Sequence, residues 1–232
     1  MQNHQHPEAL TTMSIHHKLG VVGDVHCEDA FLALAIKTLN DEHVETIVCT
    51  GDLPTGPGDI NACCNRLRKN RIATVRGNHD RWLLNLELIS LRNATSPSQV
   101  TQSSWQFLES LPVVIDLATP LGLAQLCHGI GTEDMHSIFP RQTDQELADH
   151  IDLAPIVASG RYALMINGHS HHRMVRQFES LTIINAGTLR RDHNPCFAVI
   201  DFEQSQVRYW DILDQQTAVP ADEFPIMNSP SR

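Results

Sequence analysis

Three short apolar runs, KLGVVGD (18–24), TIVCTGD (46–52) and RIATVRGN (71–78), each end on a glycine beside a carboxylate or an amide. Between them lie EDAFLALAIKTLNDE and DINACCNRLRKN, whose apolar residues recur at helical spacing. Two strand–helix–strand units with short links imply a parallel sheet with right-handed crossovers, because parallel neighbours cannot be joined by a hairpin. The pattern restricts the chain to an α/β fold. It also sends several polar strand ends to the carboxyl edge of the sheet, where ligands of open α/β sheets collect.

Further along, DRWLLNLELISL and SPSQVTQSSWQFLESL read as helices, the second with a Ser or Thr start and an end before Pro112. VVIDL, LAQLCHG, ALMINGHS, LTIINAG and CFAVIDF read as strands, with a mostly polar segment, TEDMHSIFPRQTDQELADHIDLAP, between the second and third. At 232 residues and 41% hydrophobic, the chain has material for one sizeable core. Residues 1–17, with His4, His6, His16 and His17, are polar and expected to form a flexible lead; 18–213 form the domain; 214–232, rich in Pro and polar residues, form a loosely ordered tail.

A formal charge of −10 argues against an extended nucleic-acid surface, since gripping a polyanion by counterion release needs a basic face. A small phosphate ligand remains compatible, because bound cations reverse the local sign. The six cysteines lack C-x-x-C spacing, and Cys63 and Cys64 are neighbours, so reduced buried thiols are expected rather than a disulfide framework. No apolar run reaches membrane-spanning length, and the N-terminal segment lacks the charged start and apolar centre of a signal peptide. A cytoplasmic protein without membrane partners is the expectation.

The strand ends form a series: Gly23-Asp24-Val25-His26, Gly51-Asp52, Gly77-Asn78-His79-Asp80, His128-Gly129 and Gly168-His169-Ser170-His171. Residues two apart on an extended chain point to the same side, so Asp24 and His26 can converge on one ion, and so can His169 and His171. The same alternation turns Cys127 away from His128 and sets His79 apart from Asn78. Carboxylate, imidazole and amide without thiolate, in more copies than one ion needs, suit two divalent ions rather than a closed structural zinc site. Two such ions about 3.5 Å apart repel by roughly 19 kcal/mol at an effective dielectric of 20, so a bridging anion is required. Asp52, alone on its strand end, is the natural bridge, helped by a bridging hydroxide.

The order D-x-H, G-D, G-N-H-D, H-G and G-H-x-H resembles that of the calcineurin-like metallophosphoesterases. The helix between the second and third motifs, and INAGTLRRDHNPCFAVIDF after the last, resemble the small bacterial and archaeal phosphodiesterase branch, over about Lys18 to Asp211. The resemblance implies a four-layer α/β/β/α sandwich with a mostly parallel and a mostly antiparallel half. It implies Asp24, His26, Asp52 and His171 around one metal, and Asp52, Asn78, His128 and His169 around the other. His79 matches the histidine placed beside the substrate, where it protonates the leaving oxygen. Mn²⁺ is the expected ion, with Fe²⁺ or Zn²⁺ as alternatives. The implied activity is hydrolysis of a small phosphodiester by attack of the bridging hydroxide. Phosphomonoesters come second, then a dinucleoside polyphosphate or phosphoprotein; a non-catalytic scaffold, such as the small retromer member of this fold, is the rival from another class. Arg76, Arg190 and Arg191 are candidate substrate contacts, as are Arg173 and His193, while Asp80 is expected to cap the following helix or orient a neighbour. Two departures stand out: Cys27 occupies a position that is usually Gly, and IGTEDMHSIFP replaces a short Gly-Ser-Pro run in a loop that helps shape the pocket.

Overall fold

The computed structural model describes residues 14–87, 91 and 93–226. The chain runs β1 (Lys18–Val22), α1 (Asp29–Asp41), β2 (Thr46–Cys49), α2 (Ile60–Lys69), β3 (Ala73–Thr74), α3 (Asn78–Leu84), α4 (Gln102–Glu109), β4 (Val114–Thr119), β5 (Gly122–Cys127), α5 (Asp144–Ala148) and α6 (Leu153–Ser159). There follow β6 (Leu164–Asn167), β7 (Met174–Phe178), β8 (Leu181–Asn185), β9 (Cys196–Asp201), β10 (Gln206–Ile212) and β11 (Ala218–Pro225). One sheet has the order β11-β10-β9-β1-β2-β3 and the other β4-β5-β6-β8-β7.

Alternation along the strands builds the layers. Leu19 and Val21 of β1, Ala198 and Ile200 of β9, Leu164 and Ile166 of β6 and Ile184 of β8 meet in one core between the sheets. The opposite-facing Val22, Phe197 and Val199 pack under α1 and α2, with Phe31, Leu32, Ile60 and Leu67. Cys127, Met165 and Ile183 of the second sheet pack with Leu147 of α5 and Leu153 of α6. The result is the four-layer α/β/β/α sandwich. All six cysteines are free and buried, as expected of packing thiols.

Both sheets are mixed, which corrects the expectation of one mostly parallel and one mostly antiparallel half. β1-β2-β3 are parallel, but β9, β10 and β11 extend that sheet antiparallel. β5-β6-β8 are parallel, flanked by antiparallel β4 and β7. Strands fed by crossovers lie parallel at the site, and strands joined by short turns complete the edges.

The loose tail is likewise corrected over 218–225, where β11 pairs with β10 across a bulge between Arg208 and Trp210. Pro220 and Pro225 are tolerated because β11 is an edge strand. At the other end Ile15 bridges to Ala118, and the His17 N–H donates to Glu45, so the lead is anchored before β1; residues 1–13 and 227–232 lie outside the described residues. The helix expected over DRWLLNLELISL starts earlier, at Asn78, and stops at Leu84 with Asn85 as its C-cap; the end of that stretch includes residues outside the described ones. The polar segment before β6 carries two short helices, the first opened by a Thr143–Glu146 capping box. No helix among the described residues is long and apolar enough to cross a membrane.

Tyr209 closes the centre of the sandwich: fully buried, its hydroxyl lies 3.0 Å from the Met174 carbonyl and 2.8 Å from that of Asn185, tying β10 to the second sheet. Tyr209→Phe leaves these carbonyls without that donor and is expected to cost about 1–2 kcal/mol. The check is the urea midpoint at constant m; an unchanged midpoint would contradict this role.

Candidate functional site

Asp24 follows β1, Asp52 follows β2, Asn78 follows β3, His128 follows β5, and His169 and His171 follow β6. The carboxyl ends of the parallel strands in both sheets therefore face one point. The two halves are tied together there: the His169 N–H donates to Asp24 Oδ2 at 3.0 Å, and His128 Nδ1 donates to the Thr50 carbonyl at 2.7 Å.

Asp24, His26, Asp52, Asn78 and His128 are each no more than 1% exposed. Asp24, His26 and His171 offer ligand atoms to a common point, as do Asp52, His128 and His169; a third grouping of His26, Asp52 and His79 overlaps both. Asn78 Oδ1 lies 2.9 Å from His128 Nε2. His169 and His171 thus divide between the two groups, which corrects the expectation that alternation aims them at one ion. That expectation assumed an extended chain. His26, Asp52, His169 and His171 instead have φ of 46°, 49°, 64° and 59°, so left-handed turns set the direction of each side chain.

The ring nitrogens sort the same way. A carbonyl only accepts, so each nitrogen facing one carries a proton and leaves the other to point inward. His26 Nδ1 faces the Thr55 carbonyl at 3.1 Å, and His169 Nε2 faces that of Met135 at 3.0 Å. His26 Nε2 then lies 3.1 Å from His171 Nε2, and His128 Nε2 lies 3.2 Å from His169 Nδ1. His171 Nδ1 pairs with His193 Nδ1 at 2.6 Å, which brings His193 to the site. Pairs of imidazole nitrogens converging beside buried carboxylates form a donor set fit for divalent cations.

Electrostatics agree. Burial pushes His26 down to about 4 despite Asp52 and Asp24, so its ring is neutral. Burial likewise lowers His169, with His128 adding to the effect. For His128 burial opposes the cation, but Asp52 and Asp24 outweigh it and hold the ring up at about 10. Both carboxyls lie below the usual range: burial opposes the shift, and His128 and its neighbours prevail. A proton on His128 therefore occupies the place a cation would fill.

His79 sits in the first turn of α3, its Nε2 3.9 Å from Asp52 Oδ2 and its ring against Trp82 at 4.8 Å. Its Nδ1 is buried without a hydrogen-bond partner among the described residues, and burial lowers its pKa. Asp80 does both things expected of it. It accepts the Gly77 N–H at the helix start at 2.8 Å, and those of Asp52 and Leu53 at 2.9 and 3.0 Å. Burial and the Asp52 charge push this carboxyl up to about 7, against the Gly77 and Leu53 donors.

Two glycines are required by closeness rather than by a turn. A Cβ on Gly77 would lie 2.2 Å from Asp52 Oδ1, and one on Gly168 2.2 Å from Asp24 Oδ1. Cys27, by contrast, takes φ +55°, the strained alternative for a non-glycine at that position. Its buried thiol faces Thr95 Oγ1 at 3.6 Å, and burial raises it to about 11, so it packs instead of ligating.

Three of the candidate arginines form ion pairs with carboxylates. Arg191 is bidentate to Glu28 at 2.7 and 2.6 Å, Arg190 pairs with Asp192, and Arg173 pairs with Asp211 and Asp222. Arg76 is fixed through its backbone to Pro112, and its guanidinium forms no ion pair among the described residues. Sequence reading missed Thr50, which bonds Asp24 through Oγ1 and His128 through its carbonyl, and the Met135 carbonyl behind His169. Neither leaves a mark in the sequence, because a carbonyl belongs to every residue and Thr50 reads as the end of a strand.

Residues 18–205 match the model of the calcineurin-like phosphoesterase superfamily domain. An uncharacterized protein of Methanocaldococcus jannaschii is 24% identical over 105 residues, a stretch covering 42% of this chain and 43% of that one. Among solved structures, a metallophosphoesterase from Sphaerobacter thermophilus superposes with a TM-score of 0.64 at 18% identity, covering 85% of this chain and 88% of its own. A novel archaeal phosphodiesterase gives 0.53 at 18%, covering 84% and 99%. Vacuolar protein sorting 29 from Cryptosporidium parvum gives 0.52 at 14%, covering 91% and 100%. These likenesses are of fold, and the domain model spans most of the chain, so the protein belongs to the calcineurin-like phosphoesterase superfamily.

Proposed function

We propose that the protein is a dinuclear metal-dependent phosphohydrolase acting on small phosphodiesters in the cytoplasm, with Mn²⁺ as its ion and no nucleic-acid or membrane partner. The observation that carries this reading is the pair of largely buried donor groups, Asp24–His26–His171 and Asp52–His128–His169, linked by a third grouping of His26, Asp52 and His79. Asp24, His26, Asp52 and His171 would hold one ion, and Asp52, Asn78, His128 and His169 the other. Two such ions supply charge stabilisation for the phosphoryl oxygens and an activated water as nucleophile.

The protein's own groups do the rest. Asp52 neutralises charge shared by both positions, and the Thr50, Thr55 and Met135 carbonyls keep the rings of His128, His26 and His169 turned inward. His79 delivers a proton from Nε2, the nitrogen facing Asp52, to the leaving oxygen. Its lowered pKa makes the ring a stronger acid once it is protonated. Phosphomonoesters, then a dinucleoside polyphosphate or phosphoprotein, are the second choices of substrate. The fold likeness to vacuolar protein sorting 29 favours a second reading, a scaffold without turnover. A filled ligand set with a histidine beside it favours the enzyme.

Two expected outcomes follow from these roles. His79→Ala is expected to lower turnover of an alkyl or nucleoside diester by roughly 10² to 10⁴, and that of a nitrophenyl diester far less, because nitrophenolate leaves without a proton. Equal losses with chemistry rate-limiting would make His79 a positioning group, and no turnover of any phosphoester by the Mn²⁺-loaded wild type would favour the scaffold. The second outcome concerns protons. His128 is protonated below about 10 in the metal-free protein and must be neutral to ligate. Mn²⁺ binding at about pH 8 is therefore expected to release about one proton from this ring, and affinity to rise with pH by up to about tenfold per unit. Titration in weak buffer reads both; affinity independent of pH would contradict the assignment.

A further inference from the structure

Away from the dinuclear centre, His136, His150 and Asp152 bring three ligand atoms within 4.8 Å of one another. His136 Nδ1 lies 2.5 Å and His150 Nδ1 3.8 Å from the same oxygen, Asp152 Oδ2, and the two rings meet edge to face at 5.4 Å between centroids. A tetrahedral ion with ligands at about 2.0–2.2 Å sets those ligands about 3.3–3.5 Å apart. The two distances straddle that spacing, so relative to Asp152 Oδ2 each nitrogen needs to shift by less than about 1 Å.

Asp152 gathers two imidazoles, His136 against its carboxylate and His150 near both its carboxylate and its N–H. Asp152 is also the N-cap residue of α6, a position where an aspartate usually accepts a helix N–H, yet its side chain makes no cap hydrogen bond. It turns to the two rings instead. The Asp152 N–H donates to His150 Nδ1 at 3.3 Å, so an ion would take over a lone pair that now accepts one long hydrogen bond, and would displace the proton that His136 Nδ1 shares with Asp152 Oδ2. The side chains of His136, His150 and Asp152 are 50%, 16% and 29% exposed, open enough for an ion to enter and for water to complete its coordination.

The surrounding loop gives such an ion a task. Glu133 and His136 carbonyls lie 2.4 and 2.7 Å from where a Cβ on Gly129 would stand, so the loop rests on the strand end that carries His128. Asp134 receives a bidentate pair from Arg81 of α3 at 2.7 and 2.9 Å. Between them the Met135 carbonyl holds His169. We propose that His136, His150 and Asp152 form a separate site for one transition-metal ion of the zinc class, which ties this loop to the start of α6 and keeps Met135 against His169. Two imidazoles and one carboxylate with an open fourth position suit Zn²⁺.

Equilibrium dialysis against micromolar Zn²⁺ tests it. The wild type is expected to bind one more ion per chain than the His136→Ala/His150→Ala variant. A Asp52→Asn/His128→Ala variant, crippled at the dinuclear centre, is expected to lose a Zn²⁺ equivalent on further substitution of Asp152→Asn. These differences do not depend on how many ions the main centre holds. Equal stoichiometry in both comparisons would overturn the proposal. Should a variant fail to fold, the anomalous difference map of Zn²⁺-soaked wild-type crystals at the zinc edge decides: a peak among the three side chains supports the site, and its absence overturns it.

Discussion

Asp24 and Asp52 are fully buried carboxylates on neighbouring strand ends, and among the described residues neither forms an ion pair with a lysine or an arginine. A buried, ionised carboxylate costs several kcal/mol unless charge or hydrogen bonds compensate it. The surroundings are built to that need. Asp24 accepts from Thr50 Oγ1 and the His169 N–H, Asp52 accepts from the His79 N–H, and imidazoles close the remaining sides. Since these partners come from both sheets, the balance of charge at the seam is also what joins the two halves of the sandwich there. Divalent cations held by these residues would complete this balance more fully than the proton on His128 does.

Bringing so many groups to one point is paid for in backbone strain. His26, Cys27, Asp52, His169 and His171 all hold left-handed conformations, which cost roughly 1–2 kcal/mol per non-glycine residue. The surrounding core over-determines them, with regular strands entering the site and short fixed turns leaving it. Gly77 and Gly168 make the tight spacing possible by leaving room beside Asp52 and Asp24. Asp80 adds to the same end, since one carboxylate fixes the Asp52 turn and the start of the helix bearing Asn78 and His79.

Much of this was legible in the sequence because strand periodicity and glycine-bounded strand ends are local signals. The α/β class and the polar strand ends could be read from spacing, and the four layers from the resemblance that the motif order carries. Why those ends converge could not. Left-handed turns at His26, Asp52, His169 and His171 leave no sequence signature, so simple alternation misassigned the pairing of His169 with His171. β7 and β10 escaped notice because Arg176 and Arg208 interrupt their apolar pattern, and β11 because its prolines read as loop. The arginines near the end of the chain looked like phosphate contacts. Their carboxylate partners are remote in sequence for Arg191, which meets Glu28, and for Arg173, which meets Asp211.

The sharing of Asp52 between two ions is the claim on which the rest of the functional account stands. Electron paramagnetic resonance of the protein loaded with Mn²⁺ addresses it most directly, because ions joined by a common carboxylate are magnetically coupled and an ion at a distant site is not. The account predicts a multiline spectrum of an exchange-coupled pair, replaced in Asp52→Asn by the spectrum of isolated ions. Isolated-ion signals alone from the fully loaded wild type would contradict it.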